Sequence, residues 1–136
     1  MTSRKNSNNT KDEAIAYLER FSCMHVLIVG DLMLDRYIRG EVRRISPEAP
    51  VPVVNVMEKT VMPGGAGNVG VNIASLGGTA LLHGILGNDG AGSDLLAVLK
   101  SEGVNISGVI ESDERRTIEK TRVYAHDHQE IGRAHV

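Results

Sequence analysis

Two short runs hold the residues best suited to chemistry. Gly30-Asp31-Leu32-Met33-Leu34-Asp35 follows the apolar run Val26-Leu27-Ile28-Val29, and Pro63-Gly64-Gly65-Ala66-Gly67-Asn68 opens a stretch with helical spacing. Read as loops, the first places two carboxylates beyond the end of a buried strand, where open α/β sheets bind ligands. The second bares backbone N–H groups that no side chain shields. A carboxylate such as Asp35 can accept from two adjacent hydroxyls, and the Asn68 amide both donates and accepts. The pair therefore suits a polyol such as a sugar better than an apolar ligand. Gly64 and Gly65 would add main-chain contacts.

Those groups need elements to position them. Thr10 can cap a short helix carrying Ile15, Leu18 and Phe21 near helical spacing. Residues 26–29 read as a buried parallel strand. Tyr37 to Val42 and Val51 to Met57 are β-prone and flank a segment whose Pro47 and Pro50 forbid helix, which suggests a small side sheet. Gly67 to Leu76 reads as a helix with Val69, Ile73 and Leu76 inward and Gly77-Gly78 as its stop. A strand over Thr79–Leu86 follows. Then come a helix over Ser93–Glu102 that buries Leu95, Leu96, Val98 and Leu99, with Gly103 as its stop, and a strand over Ile106–Ile110. A last strand, Thr117–Tyr124, has a polar face. Alternating strands and helices make the class α/β.

Composition narrows the function further. The chain has 136 residues, 41% of them hydrophobic, and a net charge of -2, which argues against a nucleic-acid-coating or polybasic membrane protein. One modest core is possible, but a doubly wound enzyme usually needs a longer chain. No apolar run approaches the roughly twenty residues of a membrane span, and Met1 to Lys11 is too polar for a signal peptide. The single cysteine, Cys23, excludes an internal disulfide framework and fits a cytoplasmic location. The end, Ile131-Gly132-Arg133-Ala134-His135-Val136, lacks capping or turn logic and matches translated sequencing adapter. We expect residues 1–24 to be a polar extension with a short helix, 25–130 the domain proper, and 131–136 a non-native tail.

Gly65-Ala66-Gly67-Asn68-Val69-Gly70 also meets the G-x-G-x-x-G spacing, with Asp89 about twenty residues on, so a dinucleotide-binding oxidoreductase fragment is one alternative. Its fingerprint requires a strand running straight into the first glycine, whereas Glu58-Lys59-Thr60 and Pro63 intervene here. His126 and His128 flank Asp127 without further spaced ligands, so no metal site is expected. His25 and His83 read as residues at strand ends.

Gly64, Gly65, Asn68, Gly77 and Gly87 together resemble the first signature of the ribokinase-like (PfkB) carbohydrate kinases. Gly70 departs from it, since the family prefers Ala, Ser or Thr there. Gly30-Asp31-Leu32-Met33-Leu34-Asp35-Arg36-Tyr37, Arg44-Ile45-Ser46-Pro47-Glu48-Ala49-Pro50-Val51-Pro52-Val53 and Asn72-Ile73-Ala74-Ser75-Leu76-Gly77 are similar to the heptose 7-phosphate kinases within that superfamily. These are often the N-terminal half of a bifunctional kinase and adenylyltransferase. The resemblance spans residues 25–130. It implies the N-terminal part of a ribokinase-like fold: a parallel sheet with flanking helices plus a small β lid. It also implies ATP- and Mg²⁺-dependent phosphorylation of D-glycero-β-D-manno-heptose 7-phosphate at O1, on the route to ADP-heptose and lipopolysaccharide core. Asp35, Gly64, Gly65 and Asn68 would then bind the sugar, and a homodimer would form through lid residues 37–57 and 117–126.

A sugar that already carries a phosphate needs a cationic neighbour. Lys120 and Arg122 alternate along one strand, so both side chains can face one pocket, and an arginine suits bidentate phosphate contact. Family members also carry a late Gly-Ala-Gly-Asp loop whose Asp takes the proton from the attacking hydroxyl. No such run follows Gly78, so no catalytic residue is assigned and the 136-residue polypeptide alone is expected to be inactive. The remaining alternative is a non-catalytic sugar-binding or lid module. A truncated parallel sheet would leave apolar faces uncovered, which disfavours that alternative.

Overall fold

The structure, a computed structural model, describes residue 13, residues 15–125 and residues 129–135. The expected Thr10 cap and the His126–Asp127–His128 group lie outside the described residues. Residues 15–19 are helical and run into one 3-10 turn, Arg20–Cys23. No helix among the described residues is long and apolar enough to cross a membrane.

Two sheets follow. Strands β1 (His25–Val29), β4 (Thr79–Gly87) and β5 (Asn105–Ser112) form a parallel sheet in the order β1-β4-β5. Strands β2 (Leu32–Ile45), β3 (Pro52–Gly65), β6 (Ile118–Ala125) and β7 (Gln129–His135) form a second sheet in the order β3-β2-β6-β7. Within it β2 pairs antiparallel with β3 and parallel with β6, and β7 closes antiparallel on β6. Helices α1 (Ala66–Ser75) and α2 (Gly90–Ser101) connect the layers.

The core lies where the helices meet both sheets. Ile28, Ala80, Leu82 and Leu86 from the parallel sheet pack with Leu95 and Leu99 of α2, Val104, and Leu32 and Leu34 at the base of β2. Leu95 and Leu99 are fully buried, and each contributes about 1.5–3 kcal/mol relative to exposure. The other face of the parallel sheet is bare. Leu27 is 62% and Val29 68% exposed, and Ile85 and Ile110 are also open.

Several expectations need correction. Gly30 to Asp35 is not a loop, because β2 already begins at Leu32. Leu32 and Leu34 are buried at 1% and 0%, and strand alternation then turns Met33 and Asp35 to the opposite face. β3 runs unbroken through Glu58-Lys59-Thr60 and Pro63 to Gly65; a proline is tolerated there because β3 is an edge strand. A strand therefore does enter the glycine run. It belongs to the hairpin with β2, not to the parallel sheet, so the βαβ setting of a dinucleotide fingerprint is still missing.

Helix α1 does not bury Val69 and Leu76, which are 47% and 49% exposed. Its buried residues are Gly67 and Gly70. A Cβ on Gly70 would lie 3.2 Å from Val104 Cγ1, and one on Gly67 would lie 3.1 Å from Pro63 Cβ, so these glycines let the helix backbone approach its neighbours closely. Helix α2 starts at Gly90 rather than Ser93, because Asp89 caps it. His83 sits in the middle of β4 on the bare face, not at a strand end.

Candidate functional site

Asp35 is the fourth residue of β2. In register its Cα faces Met62 of β3 on one side and Lys120 of β6 on the other. Tyr37 pairs likewise with Arg122, and Arg39 with Tyr124, so these side chains share one face of the sheet. On that face Arg122 Nη1 donates to Asp35 Oδ1 at 2.8 Å and to Tyr37 Oη at 3.1 Å. The Arg122 guanidinium carbon lies 5.2 Å from the Tyr37 ring centroid, and Tyr37 stacks on Tyr124 with centroids 6.1 Å apart. The Arg122 and Asp35 side chains are only 15% and 19% exposed, which limits solvent screening of the pair. Burial opposes the Arg122 charge, but the Asp35 hydrogen bond and the nearby Tyr37 and Asp35 groups outweigh it and raise the guanidinium pKa.

The glycine run reaches the same place from β3. A Cβ on Gly64 would lie 2.7 Å from Asp35 Oδ2 and 2.7 Å from Met33 Cγ, so only glycine leaves the carboxylate its position. Gly65 has φ 56° and a Cβ there would strike Asp31 O, which itself accepts from Ala66 N at 3.0 Å. That bond ties the start of α1 to the end of β1. Asp31 thus serves the turn through its main chain.

A cleft of ≈ 460 Å³ opens along the β3 edge. Asp35, Tyr37, Gly64, Gly65 and Asn68 line it together with an apolar wall of Val61, Pro63, Val71 and Val98, and Glu102 stands at its rim. The volume suits a monosaccharide-sized ligand. The Asn68 side chain is exposed there and has no hydrogen-bond partner among the described residues, so its amide is available to a ligand.

Of the residues picked from sequence, Asp35, Gly64, Gly65 and Asn68 come together at the cleft. Lys120 and Arg122 share the face of Asp35 but are absent from the cleft lining, and Arg122 is engaged by Asp35 and Tyr37. The register does set both cations on one face, as their alternation implies, but neither lines this cleft. Lys120 has no ion-pair partner among the described residues.

Sequence reasoning missed Tyr37 and Glu102 as cleft residues. It also missed Arg36, whose Nε and Nη2 grip Glu119 at 2.8 and 3.1 Å while Nη2 reaches Asp94 of α2 at 3.3 Å. The Arg36 hydrogen bond, against burial and with help from Thr121, lowers the Glu119 pKa. Continuous strand parity from Leu32 would have placed Arg36 on the helix side. Asp89, noted above for its spacing from the glycine run, is used within the fold: Oδ1 accepts from Gly92 N at 2.8 Å and Oδ2 from Thr117 N at 2.9 Å. The Thr117 hydroxyl in turn bonds Gly87 N and O, so one junction joins β4, α2 and the segment entering β6.

Comparison with known proteins places this geometry. The chain is 51% identical over 119 residues to the bifunctional protein HldE of Caulobacter sp. strain K31, covering 87% of this chain and 24% of that one. It is 44% identical over 117 residues to the bifunctional protein HldE of Citrifermentans bemidjiense, covering 86% and 24%. The chain thus spans about a quarter of the length of these curated relatives. Among solved structures, a carbohydrate kinase from Agrobacterium tumefaciens superposes with a TM-score of 0.68 at 20% identity, covering 83% of this chain and 35% of that one. Arabidopsis thaliana ribokinase complexed with ribose and ATP superposes with a TM-score of 0.64 at 21% identity, covering 83% and 35%. These likenesses fix the fold as ribokinase-like. The family description "pfkB family carbohydrate kinase" matches residues 24–132, and the chain belongs to that family.

Proposed function

We propose that the chain forms the sugar-binding part of a kinase that transfers the γ-phosphoryl group of ATP to O1 of D-glycero-β-D-manno-heptose 7-phosphate, on the route to ADP-heptose and lipopolysaccharide core. The observation that carries this reading is the cleft that joins the Asp35 carboxylate and the unpartnered Asn68 amide to the bare main chain of Gly64 and Gly65. The 51% identity to the bifunctional protein HldE is in line with the bifunctional heptose kinases that the sequence resembles. Residues 25–130 are the N-terminal part of the kinase domain in this reading.

Asp35 accepts hydrogen bonds from neighbouring hydroxyls, Asn68 both donates and accepts, and the apolar wall excludes water from the sugar's C–H surface. Lys120, in register with Asp35 on the same sheet face although outside the cleft lining, is the cation assigned to the 7-phosphate. O1 attacks the γ-phosphorus, ADP leaves, and the O1 proton goes to a base outside this chain. ATP supplies the phosphoryl group, and Mg²⁺ would neutralise its developing charge. Such an ion would rest mainly on the nucleotide's own phosphates and water, with one or two carboxylates; among the described residues no cluster of three or more His, Cys, Asp or Glu side chains stands ready to hold it without the nucleotide. Gly90-Ala91-Gly92 resembles the missing catalytic loop in letters, but its N–H groups start a helix that Asp89 already caps. Ile45, Val56 and Met57 are exposed on the lid, which supports pairing of two lids in a homodimer. A monomer at high concentration in sedimentation would refute that pairing.

Asp35→Asn in the intact protein tests the reading. Loss of a charged hydrogen bond of about 1.5–3 kcal/mol raises the KM for heptose 7-phosphate roughly ten- to a hundredfold. An unchanged KM would sink it.

A further inference from the structure

Arg122 is absent from the lining of the cleft, yet it holds two groups that do line it. Its Nη1 donates to Asp35 Oδ1 at 2.8 Å and to Tyr37 Oη at 3.1 Å, and its guanidinium carbon lies 5.2 Å from the Tyr37 ring centroid. Tyr37 is thus held by its hydroxyl, by the cation over its ring and by its stack on Tyr124. Asp35 is held by one oxygen only. The other, Oδ2, is the one a Gly64 side chain would strike at 2.7 Å, and Gly64 lines the cleft.

We propose that Arg122 is a positioning residue that presets Asp35 and Tyr37 for the sugar and takes no part in binding the substrate's phosphate; this rests on the sugar-kinase reading above. Its charge is already matched by Asp35, and with 15% of its side chain exposed it has little solvent face to offer a second anion. Recruiting Arg122 to a phosphate would free Asp35 and Tyr37 to rotate, and ordering them again on binding costs affinity. The Tyr37 ring then acts as a fixed wall for the C–H face of the sugar, a specificity element beside the carboxylate. Lys120 lies two residues before Arg122 on the same face and, like Arg39 there, has no ion-pair partner among the described residues, so a cation other than Arg122 is free for the phosphate.

The test compares Arg122→Met, Arg122→Lys and Lys120→Met in the intact protein, titrated calorimetrically with heptose 7-phosphate and with the unphosphorylated heptose. Arg122→Met weakens both sugars by about tenfold with their affinity ratio unchanged, because preorganisation is lost for either ligand. Arg122→Lys restores part of that loss, since an ammonium can reach Asp35 but cannot reproduce the guanidinium's shared bond and ring contact. Lys120→Met weakens the phosphorylated sugar alone. An Arg122→Met variant that loses only the phosphorylated sugar, or neither sugar, overturns the proposal. Should wild type bind neither sugar, the kinase reading itself fails. Positioning is then judged without ligand from the χ1 couplings of Asp35 and Tyr37 by NMR. A single rotamer in wild type that averages in Arg122→Met upholds it, and identical couplings overturn it.

Discussion

Replacing Asp89 should separate two bonds that meet in one carboxylate. Oδ1 caps α2 through Gly92 N, and Oδ2 accepts from Thr117 N, whose residue is 2% exposed. Asp89→Ala removes the cap, worth about 1 kcal/mol, and leaves the Thr117 N–H without its acceptor, worth about 1–3 kcal/mol. The sum is about 2–4 kcal/mol, or a fall in melting temperature of roughly 8–15 °C for a domain of this size. Asp89→Ser keeps a hydroxyl for the Gly92 N–H but is too short for Thr117, so it loses only the second part. Urea unfolding of the three proteins followed by circular dichroism gives both differences. The pH arm has a definite sign. The Thr117 N–H, against burial and with the Gly92 N–H, lowers the Asp89 pKa in the folded state. Stability from this group is therefore complete above the unfolded carboxylate value of about 3.9 and is lost as pH falls through the lower folded value. The gap between wild type and Asp89→Ala should narrow only below about pH 4. A loss under about 0.5 kcal/mol, or a gap indifferent to acid, would refute the reasoning.

Two further substitutions probe the glycines. Gly64→Ala places a methyl 2.7 Å from Asp35 Oδ2 and Met33 Cγ, both on movable side chains, so stability should change by less than about 1 kcal/mol while sugar-phosphate affinity falls about tenfold. Equal affinity in a titration would show that the carboxylate's place does not matter. Gly70→Ala gains about 1 kcal/mol of helix propensity but presses on Val104 Cγ1 at 3.2 Å, an overpacking cost of about 1–3 kcal/mol, so the net effect is mildly destabilising. In a double-mutant cycle with Val104→Ala the same change should become stabilising, and strict additivity would show that the two residues do not press on each other.

The order of elements was legible because apolar runs and turn residues alternate clearly: Val26 to Val29, the Gly77-Gly78 stop and Leu95 with Leu99 all landed in their expected elements. Four cleft residues were legible too, since a carboxylate, an amide and paired glycines are local features. The long hairpin was not. Its strands carry Arg36, Arg39, Lys59 and Glu58 between apolar residues, and period-two alternation with charges on both faces does not stand out from a loop. The α1 face was misread because hydrophobicity marks what is buried only where side chains fill the contact. At Gly67 and Gly70 the contact is backbone against Pro63 and Val104. The Arg122–Asp35 pair was out of reach because no local pattern reports a partner 87 residues away.

That separation bears on how the protein is made. β2 finds one neighbour, β3, within its own hairpin, but its other neighbour, β6, arrives only after β4, α2 and β5 have been synthesised. At about 5–20 residues per second, a nascent chain carries the exposed edge of β2 for several seconds before β6 can cover it. During that time Asp35 has no Arg122 and Arg36 no Glu119. Parallel pairing over such a loop is slow to form, so the edge of β2 is the place where a chaperone or a stray strand would first engage the growing polypeptide.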